Sequence, residues 1–438
     1  PSDEERDRPE YWRFWRQLPA QGRIGLFLSA WYSTPILDRV YGHTSEAEFD
    51  GRLERIKAFE KTLADDGALI LKFWMHLSKN AQKDRLRKLE KNPLENWRVS
   101  KRDWQHWEMY EQFVVAAERT IMKTSTGQAP WKIIEGYDER YRSTAVATAI
   151  RDAIRFRLNE TAKASGGNGG ADSARSKAPV PETDGLPAVT ILSRLDMSQT
   201  LEKVDYDAGL KRYQAKLNQL QRVAREQKIS TILVFEGWDA AGKGGSIRRI
   251  TAALDARDYQ VIQIAAPTDE EAAHNYLWRF WRHIPRAGRV TIYDRSWYGR
   301  VLVERVEGFA RTREWQRAYA EINDFEAQLV ERGIVLLKFW LHITPEEQLR
   351  RFKEREQIPY KAWKLTEEDW RNRERWADYE LAVNDMVEHT STQKEPWTLI
   401  EANDKRYARI KVLHTLCERL EAALAGISNH KVAKIAKG

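Results

Sequence analysis

Three stretches of this chain carry residue types at spacings suited to phosphate chemistry. The first is Gly237-Trp238-Asp239-Ala240-Ala241-Gly242-Lys243-Gly244-Gly245, which follows the apolar, β-branched run Thr231–Phe235 and opens a helix-forming segment. It holds the G-x-x-x-x-G-K pattern, in which loop amides and the first turn of a helix converge on phosphate oxygens while the lysine adds a mobile positive charge. Gly237, Ala240, Ala241, Gly242, Lys243, Gly244 and Gly245 are therefore candidate phosphate-binding residues. The plainer alternative is a strand-to-helix turn whose glycines serve backbone geometry alone. The pattern usually continues with Ser or Thr to hold Mg²⁺, and here that position is Gly244. Another group must then hold the cation. Asp239, a carboxylate set among amides that would otherwise meet anions, reads as a metal-holding or proton-accepting group, with turn stabilisation as its alternative.

The second stretch, Asp294-Arg295-Ser296, follows the strand-like run Val290–Tyr293. Open α/β sheets place ligands at the carboxyl ends of their strands, so Asp294 is a candidate second metal ligand and Arg295 a bidentate partner for phosphate. Asp294 as a helix cap is the alternative. The third stretch, Arg350-Arg351-Phe352-Lys353-Glu354-Arg355 before Pro359-Tyr360-Lys361-Ala362-Trp363-Lys364, reads as a basic helix and a lid over 345–372, with Arg351, Lys353 and Arg355 as phosphate-facing candidates. An ordinary solvated helix face remains open for this cluster. Arg279, Arg282 and Arg286, interleaved with Trp278, Phe280 and Trp281, either line an anion track or frame a core of aromatics.

The elements that must position these residues occur twice. Trp12 matches Trp278, Trp31 matches Trp297, Lys72 matches Lys338, Trp97 matches Trp363 and Pro130 matches Pro396, always 266 positions apart. Two homologous domains follow, over 1–160 and 188–438, joined by a Gly-, Ser- and Pro-rich linker at 161–187. The repeat acts as an internal control. Asp294 and Arg295 match Leu28 and Ser29, and Arg355 matches Leu89, whereas Trp297 and Tyr298 are kept as Trp31 and Tyr32. Architecture is retained in the first domain and the charges are not, which assigns chemistry to the second. Glu401 and Asp404 recur as Glu135 and Asp138 and read as structural. Pro1 aligns with Pro267, so Tyr206–Ala266, including the glycine-rich loop, has no counterpart in the first domain, and the chain is expected to be part of a longer one.

In the second domain the runs Thr231–Phe235, Val261–Ala265, Val290–Tyr293, Ile334–Ile343 and Thr398–Ala402 alternate with helical patterns. That alternation predicts a parallel sheet between two helical layers, the three-layer α/β class. With 438 residues there is room for two such cores. One cysteine excludes an internal disulfide framework and suits a reducing, cytoplasmic setting, and nine scattered histidines show no zinc spacing. No apolar run is long enough to cross a bilayer as a helix. A net charge of +8 favours polyanionic partners without choosing among them.

The segments GWDAAGKGG at 237–245, YDRSWYGR at 293–300 and the basic helix through PYKAW resemble polyphosphate kinase family 2, over essentially all of 186–424. The tandem arrangement is similar to the two-domain subclass of polyphosphate:AMP phosphotransferases, whose amino-terminal copy lacks catalytic residues. The resemblance implies a P-loop kinase core of the thymidylate-kinase type and Mg²⁺ (or Mn²⁺) on Asp239 and Asp294. It implies charge neutralisation by Lys243, Arg295 and Arg355, with inorganic polyphosphate and AMP or ADP as substrates. It further implies a homo-oligomer with neither nucleic acid nor membrane as partner. An ATP-dependent nucleoside monophosphate kinase and a basic nucleic-acid-binding protein are the competing readings.

Overall fold

The computed structural model describes residues 2–166, 190–358 and 367–435. The chain forms two compact units, one of Pro1–Leu18 with Arg175–Gly438 and one of Pro19–Ala174. The expected linker falls partly outside the described residues, but 161–166 complete the helix Glu139–Gly166 instead of beginning a loop.

In the larger unit, five strands form one parallel sheet in the order β4-β5-β3-β6-β7: β3 (Thr231–Gly237), β4 (Tyr259–Gln263), β5 (Val290–Asp294), β6 (Val335–His342) and β7 (Trp397–Glu401). The central strands β3, β5 and β6 are buried along almost their whole length, as continuous apolar runs must be when both faces are covered. Helices Lys203–Glu226, Lys243–Thr251 and Lys405–Ile435 pack together, and Thr312–Glu331 packs on β6 and against Trp376–Thr390. This is the three-layer α/β fold expected from the sequence. The first strand, β3, lies at the centre, with β5 on one side and β6 on the other. Its carboxyl end is therefore the switch point at which such sheets open a ligand crevice.

One buried network ties these layers together. Lys338 Nζ on β6 donates to Glu326 Oε2 at 2.7 Å, to Tyr298 Oη at 3.1 Å and to the Thr390 carbonyl at 2.7 Å. Trp297 Nε1 and Tyr298 Oη both donate to Glu326 Oε1, at 3.0 and 2.6 Å. Burying an ammonium and a carboxylate is tolerable only when the charges meet and their remaining valences are filled, and here they are.

The unit Pro19–Ala174 repeats this network position for position. Lys72 donates to Glu60, Tyr32 and the Thr124 carbonyl at 2.7, 3.0 and 2.7 Å, while Trp31 and Tyr32 reach Glu60 Oε1. Among its described residues the sheet is β1 (Lys72–His76) paired in parallel with β2 (Trp131–Glu135), the counterparts of β6 and β7. The segment matching β5 is irregular, with Ile24, Leu26 and Leu28 exposed. A strand needs a ladder partner, and no described residue of this unit stands where β3 stands in the other.

Residues 1–18 group with the larger unit, not with 19–160 as the domain boundaries expected. The aromatics explain it. Trp15 stacks on Trp281, centroids 5.7 Å apart at 13°, Arg8 Nε donates to the Ile284 carbonyl at 2.9 Å, and Trp12, Phe14 and Trp15 are buried. Arg279, Arg282 and Arg286 face Glu271, Glu270 and Asp7 at 3.3, 3.2 and 3.7 Å.

Replacing Lys338 by Met leaves Glu326 buried without its cation. We expect about 3–5 kcal/mol loss of stability in urea unfolding, and a smaller loss when Glu326→Gln is added. Equal losses in the single and double variants would show that the pair is not the source.

Candidate active site

Sterics fix the glycine-rich loop where β3 ends. At Gly237, φ is +147° and a Cβ would lie 2.5 Å from the Leu341 carbonyl oxygen, so no side chain fits. Trp238 N–H donates to that same carbonyl at 3.3 Å, pinning the loop to β6. Ala240 and Gly242 adopt φ values of +65° and +111°, turning the chain into the helix Lys243–Thr251 with Gly244 and Gly245 in its first turn. The Lys243 ammonium lies back over the loop, donating to the carbonyls of Gly237 at 2.6 Å and Trp238 at 3.2 Å. It is thus held by weak neutral acceptors at the place where phosphate charge would draw it.

Asp239, the one carboxylate of the loop Gly237–Gly245, is held by three polar side chains. Arg295 Nη2 donates to its Oδ1 at 3.2 Å, Asn372 Nδ2 to its Oδ2 at 3.0 Å, and Gln348 Nε2 to its backbone carbonyl at 3.2 Å. The Asp239 side chain is only 15% exposed, while that of Arg295 is 48% exposed and open to a ligand. Asp294 ends β5 directly beside Phe235 of β3, and Arg295 turns away in a left-handed conformation at φ +64°, its N–H bonded to the Phe235 carbonyl. Asp239 and Arg295 are thus in contact, and Asp294 ends the strand next to the one that leads into the loop. Beneath them, Glu236 is buried and accepts from Ser296 Oγ at 2.8 Å. Burial pushes its carboxyl above the ordinary range, against the pull of Ser296, Lys243 and Arg295.

Arg351 departs from expectation. Its side chain is wholly buried and its N–H groups donate to the carbonyls of Ala240, Ala241, Ala402 and Asn403 and to Glu347. With its fork filled in this way it cannot meet phosphate; it braces the loop from behind. The repeat carried the signal, since Arg351 is retained as Arg85 in the domain where Asp294, Arg295 and Arg355 are replaced; Lys353 is likewise matched by a basic residue, Arg87. Lys353 is exposed and Arg355 half-buried on the same helix, Pro345–Glu356. Of the expected lid, 359–366 lie outside the described residues; 345–356 and 367–372 are helical. Glu401 pairs with Lys411 at 2.6 Å and Asp404 accepts from the Tyr407 N–H, both structural contacts.

Sequence reasoning passed over Asn372, Gln348 and the aromatic wall of the loop. Trp238 stacks on Trp376 with centroids 3.6 Å apart at 10°, and its indole N–H donates to Nδ1 of buried His342 at 3.1 Å. Among the described residues no group of three or more His, Cys, Asp or Glu could enclose a metal ion. A pair of carboxylates beside a phosphate loop is nonetheless the donor set suited to Mg²⁺, which keeps several waters and completes its shell with substrate phosphate oxygens. The residues fit such an ion. No described helix is long and apolar enough to cross a membrane.

The family model described as polyphosphate kinase 2 matches residues 1–162 and 200–426. A polyphosphate:AMP phosphotransferase of Pseudomonas aeruginosa is 51% identical over 423 residues, covering 97% of this chain and 84% of its own. One of the same name from Acinetobacter johnsonii is 38% identical over 416 residues, covering 94% and 82%. A GDP-polyphosphate phosphotransferase of Mycobacterium tuberculosis matches only 50% of this chain, at 38% identity and over 74% of its own length. Among solved structures, a Pseudomonas aeruginosa protein described as a polyphosphate kinase 2 superposes with a TM-score of 0.83 at 48% identity, covering 97% of this chain and 83% of that one.

Burial lowers the pKa of His342 from 6.5 to about 4, with Glu401 opposing the shift. The folded state thus disfavours the protonated ring. Its contribution to stability is complete above pH 6.5 and is lost as pH falls towards 4, about 3 kcal/mol in all. Urea unfolding followed by tryptophan fluorescence should show this loss in the native chain and a loss smaller by that amount in His342→Gln. Identical pH profiles would remove His342 as the cause.

Proposed function

Because the chain belongs to the polyphosphate kinase 2 family, we propose that its larger unit transfers the terminal phosphoryl group of inorganic polyphosphate to AMP, giving ADP. The observation that carries the acceptor is the extent of the matches. Relatives that cover nearly the whole chain are named for AMP, whereas those that match half of it are named for ADP, GDP or nucleoside diphosphates.

Transfer requires an oxygen of the AMP phosphate to form a bond to the terminal phosphorus as the P–O–P bridge breaks, the bridging oxygen leaving with the shortened polyphosphate. Little covalent chemistry falls to the protein, so positioning and charge neutralisation supply the rate. The loop amides of Ala240, Gly242, Lys243 and Gly244 cradle the donor, while those of Ala241 and Gly245 donate to the Trp238 and Gly242 carbonyls and shape the turn, and Lys243 exchanges its carbonyl partners for phosphate oxygens. Arg295, opposite Asp239, and Arg355 with Lys353, from the basic helix, neutralise charge spread over the equatorial oxygens. Asp239 and Asp294 would hold Mg²⁺ (or Mn²⁺), which supplies Lewis-acid polarisation of the transferring group. A phosphohistidine is disfavoured because His342, which touches the loop through Trp238, is buried and accepts the indole N–H. The unit Pro19–Ala174 has Leu28, Ser29 and Leu89 at the charged positions and is assigned no transfer activity. A cytoplasmic homo-oligomer, with neither nucleic acid nor membrane as partner, completes the reading.

Initial rates with nucleotide-free polyphosphate and either AMP or ADP test the acceptor. We expect ADP formation from AMP to be faster, and faster ATP formation from ADP would reverse the assignment. ATP replacing polyphosphate at higher kcat/KM would make the chain a nucleoside monophosphate kinase. Asp239→Asn and Asp294→Asn should each lower kcat by about a thousandfold with the fold intact, the scale of a lost electrostatic clamp on the transition state. Near-native turnover in either variant at saturating Mg²⁺ would remove that residue from the mechanism.

A further inference from the structure

The second oxygen of Asp239 is held from outside the loop by a chain of polar contacts that the transfer reaction does not itself explain. Asn372, on the helix Glu367–Glu374, donates its amide N–H to Asp239 Oδ2 at 3.0 Å. The amide oxygen of Asn372 accepts from Tyr379 Oη at 3.2 Å, which fixes which way the amide faces. Tyr379 Oη also lies 3.4 Å from Glu307 Oε1, and Glu307 is flanked by Arg371 at 3.2 Å and Arg375 at 3.6 Å. Burial raises the Tyr379 pKa far above neutrality, with Glu307 and Asp239 adding to the shift, so its hydroxyl keeps its proton.

The repeat shows that the fold does not require this relay. Asn372, Tyr379, Glu307, Arg371 and Arg375 correspond to His106, Phe113, Tyr41, Gln105 and Met109, while the intervening Asp369, Trp370 and Glu374 are retained as Asp103, Trp104 and Glu108. The other unit closes the same position differently, with Tyr41 Oη 2.5 Å from His106 Nε2. Every member of the relay is thus present where the glycine-rich loop and its aspartate are present, and replaced where Leu28 and Ser29 stand for Asp294 and Arg295.

We propose that Asn372 is a positioning residue for Asp239, its amide fixing Oδ2 while Arg295 fixes Oδ1, so that the carboxylate plane is set before a divalent cation arrives. A carboxylate free to rotate about χ2 loses part of its affinity in ordering itself, and hydrogen bonds from a second layer of residues remove that loss. Such partners are worth about 10–100-fold in metal affinity or activity. The inference rests on the reading of Asp239 as a metal ligand, and the test separates the two.

Binding of Mn²⁺ alone, measured by the electron paramagnetic resonance of free ion, is compared across the whole native chain, Asn372→Leu, Tyr379→Phe and Asp239→Asn. We expect Asn372→Leu to raise the Mn²⁺ dissociation constant about tenfold or more and Tyr379→Phe to raise it less. In turnover both should raise the Mg²⁺ concentration for half-maximal rate while leaving the KM for AMP unchanged. Asn372→Ser, which restores a donor, should recover part of the affinity. If Asn372→Leu is folded and binds Mn²⁺ as the native chain does, or if its loss appears in the KM for AMP, the proposal is overturned. Should Asn372→Leu fail to fold, an unchanged Mn²⁺ affinity in Tyr379→Phe overturns it. Native Mn²⁺ binding by Asp239→Asn would instead remove the metal role of Asp239 and the proposal with it.

Discussion

A lysine and a glutamate buried together hold the larger unit in register. Lys338 and Glu326 are each at most 2% exposed, and between them they fasten a central strand, the helix Thr312–Glu331, the turn after β5 and the end of the helix Trp376–Thr390. The turn matters most for function. Trp297 and Tyr298 are anchored on Glu326, and Asp294 and Arg295 are the residues just before them, so the direction in which those charges emerge depends on a pair several residues inside the protein. A buried ion pair gives little stability over a well-packed apolar substitute, but it tolerates few alternative arrangements. The same five groups recurring around Lys72 and Glu60 indicate that this frame belongs to the architecture and not to catalysis.

On that frame, the glycine-rich loop is shaped mainly by contacts made from behind it. Leu341 leaves no room for a Cβ at Gly237, Arg351 collects the carbonyls of Ala240 and Ala241, and Gln348 takes that of Asp239. Arg351 and Gln348 thereby occupy the carbonyls of Asp239, Ala240 and Ala241, while those of Gly237 and Trp238 are covered by the Lys243 ammonium. An anion site made of peptide dipoles needs this cover, because a carbonyl turned inward would repel the phosphate that the amides attract.

Much of this was legible in the sequence. The loop, the paired aspartates and the parallel sheet follow from a glycine pattern, a missing Ser or Thr at Gly244 and alternating apolar runs, all of them local signals. Arg351 was misread because a helical arginine beside a phosphate loop looks the same whether it points at the ligand or at the back of the loop; the retained Arg85 marked the difference. Asn372 gave no local signal at all, since one amide in a charged helix acquires meaning only when the fold brings it to Asp239. The compact units divide at Leu18 although the family match runs over 1–162, because the repeat register records common descent, whereas Trp12, Phe14 and Trp15 choose their packing partners by apolar area. The strand matching β5 is absent for a related reason: its apolar character persists at 24–28, but a strand exists only by pairing.

Arg295 and Ser29 occupy equivalent positions, and both are left-handed, at φ +64° and +55°. Non-glycine residues in this region carry a strain of about 1–3 kcal/mol. In the larger unit the strain can be ascribed to aiming a guanidinium at Asp239, but in the other unit there is no guanidinium to aim. The bend is therefore a property of the scaffold, maintained by the tryptophan and tyrosine that follow it and indifferent to the side chain it displays. The kink does not depend on the arginine, so an arginine placed at position 29 would start from nearly the same backbone angle as Arg295.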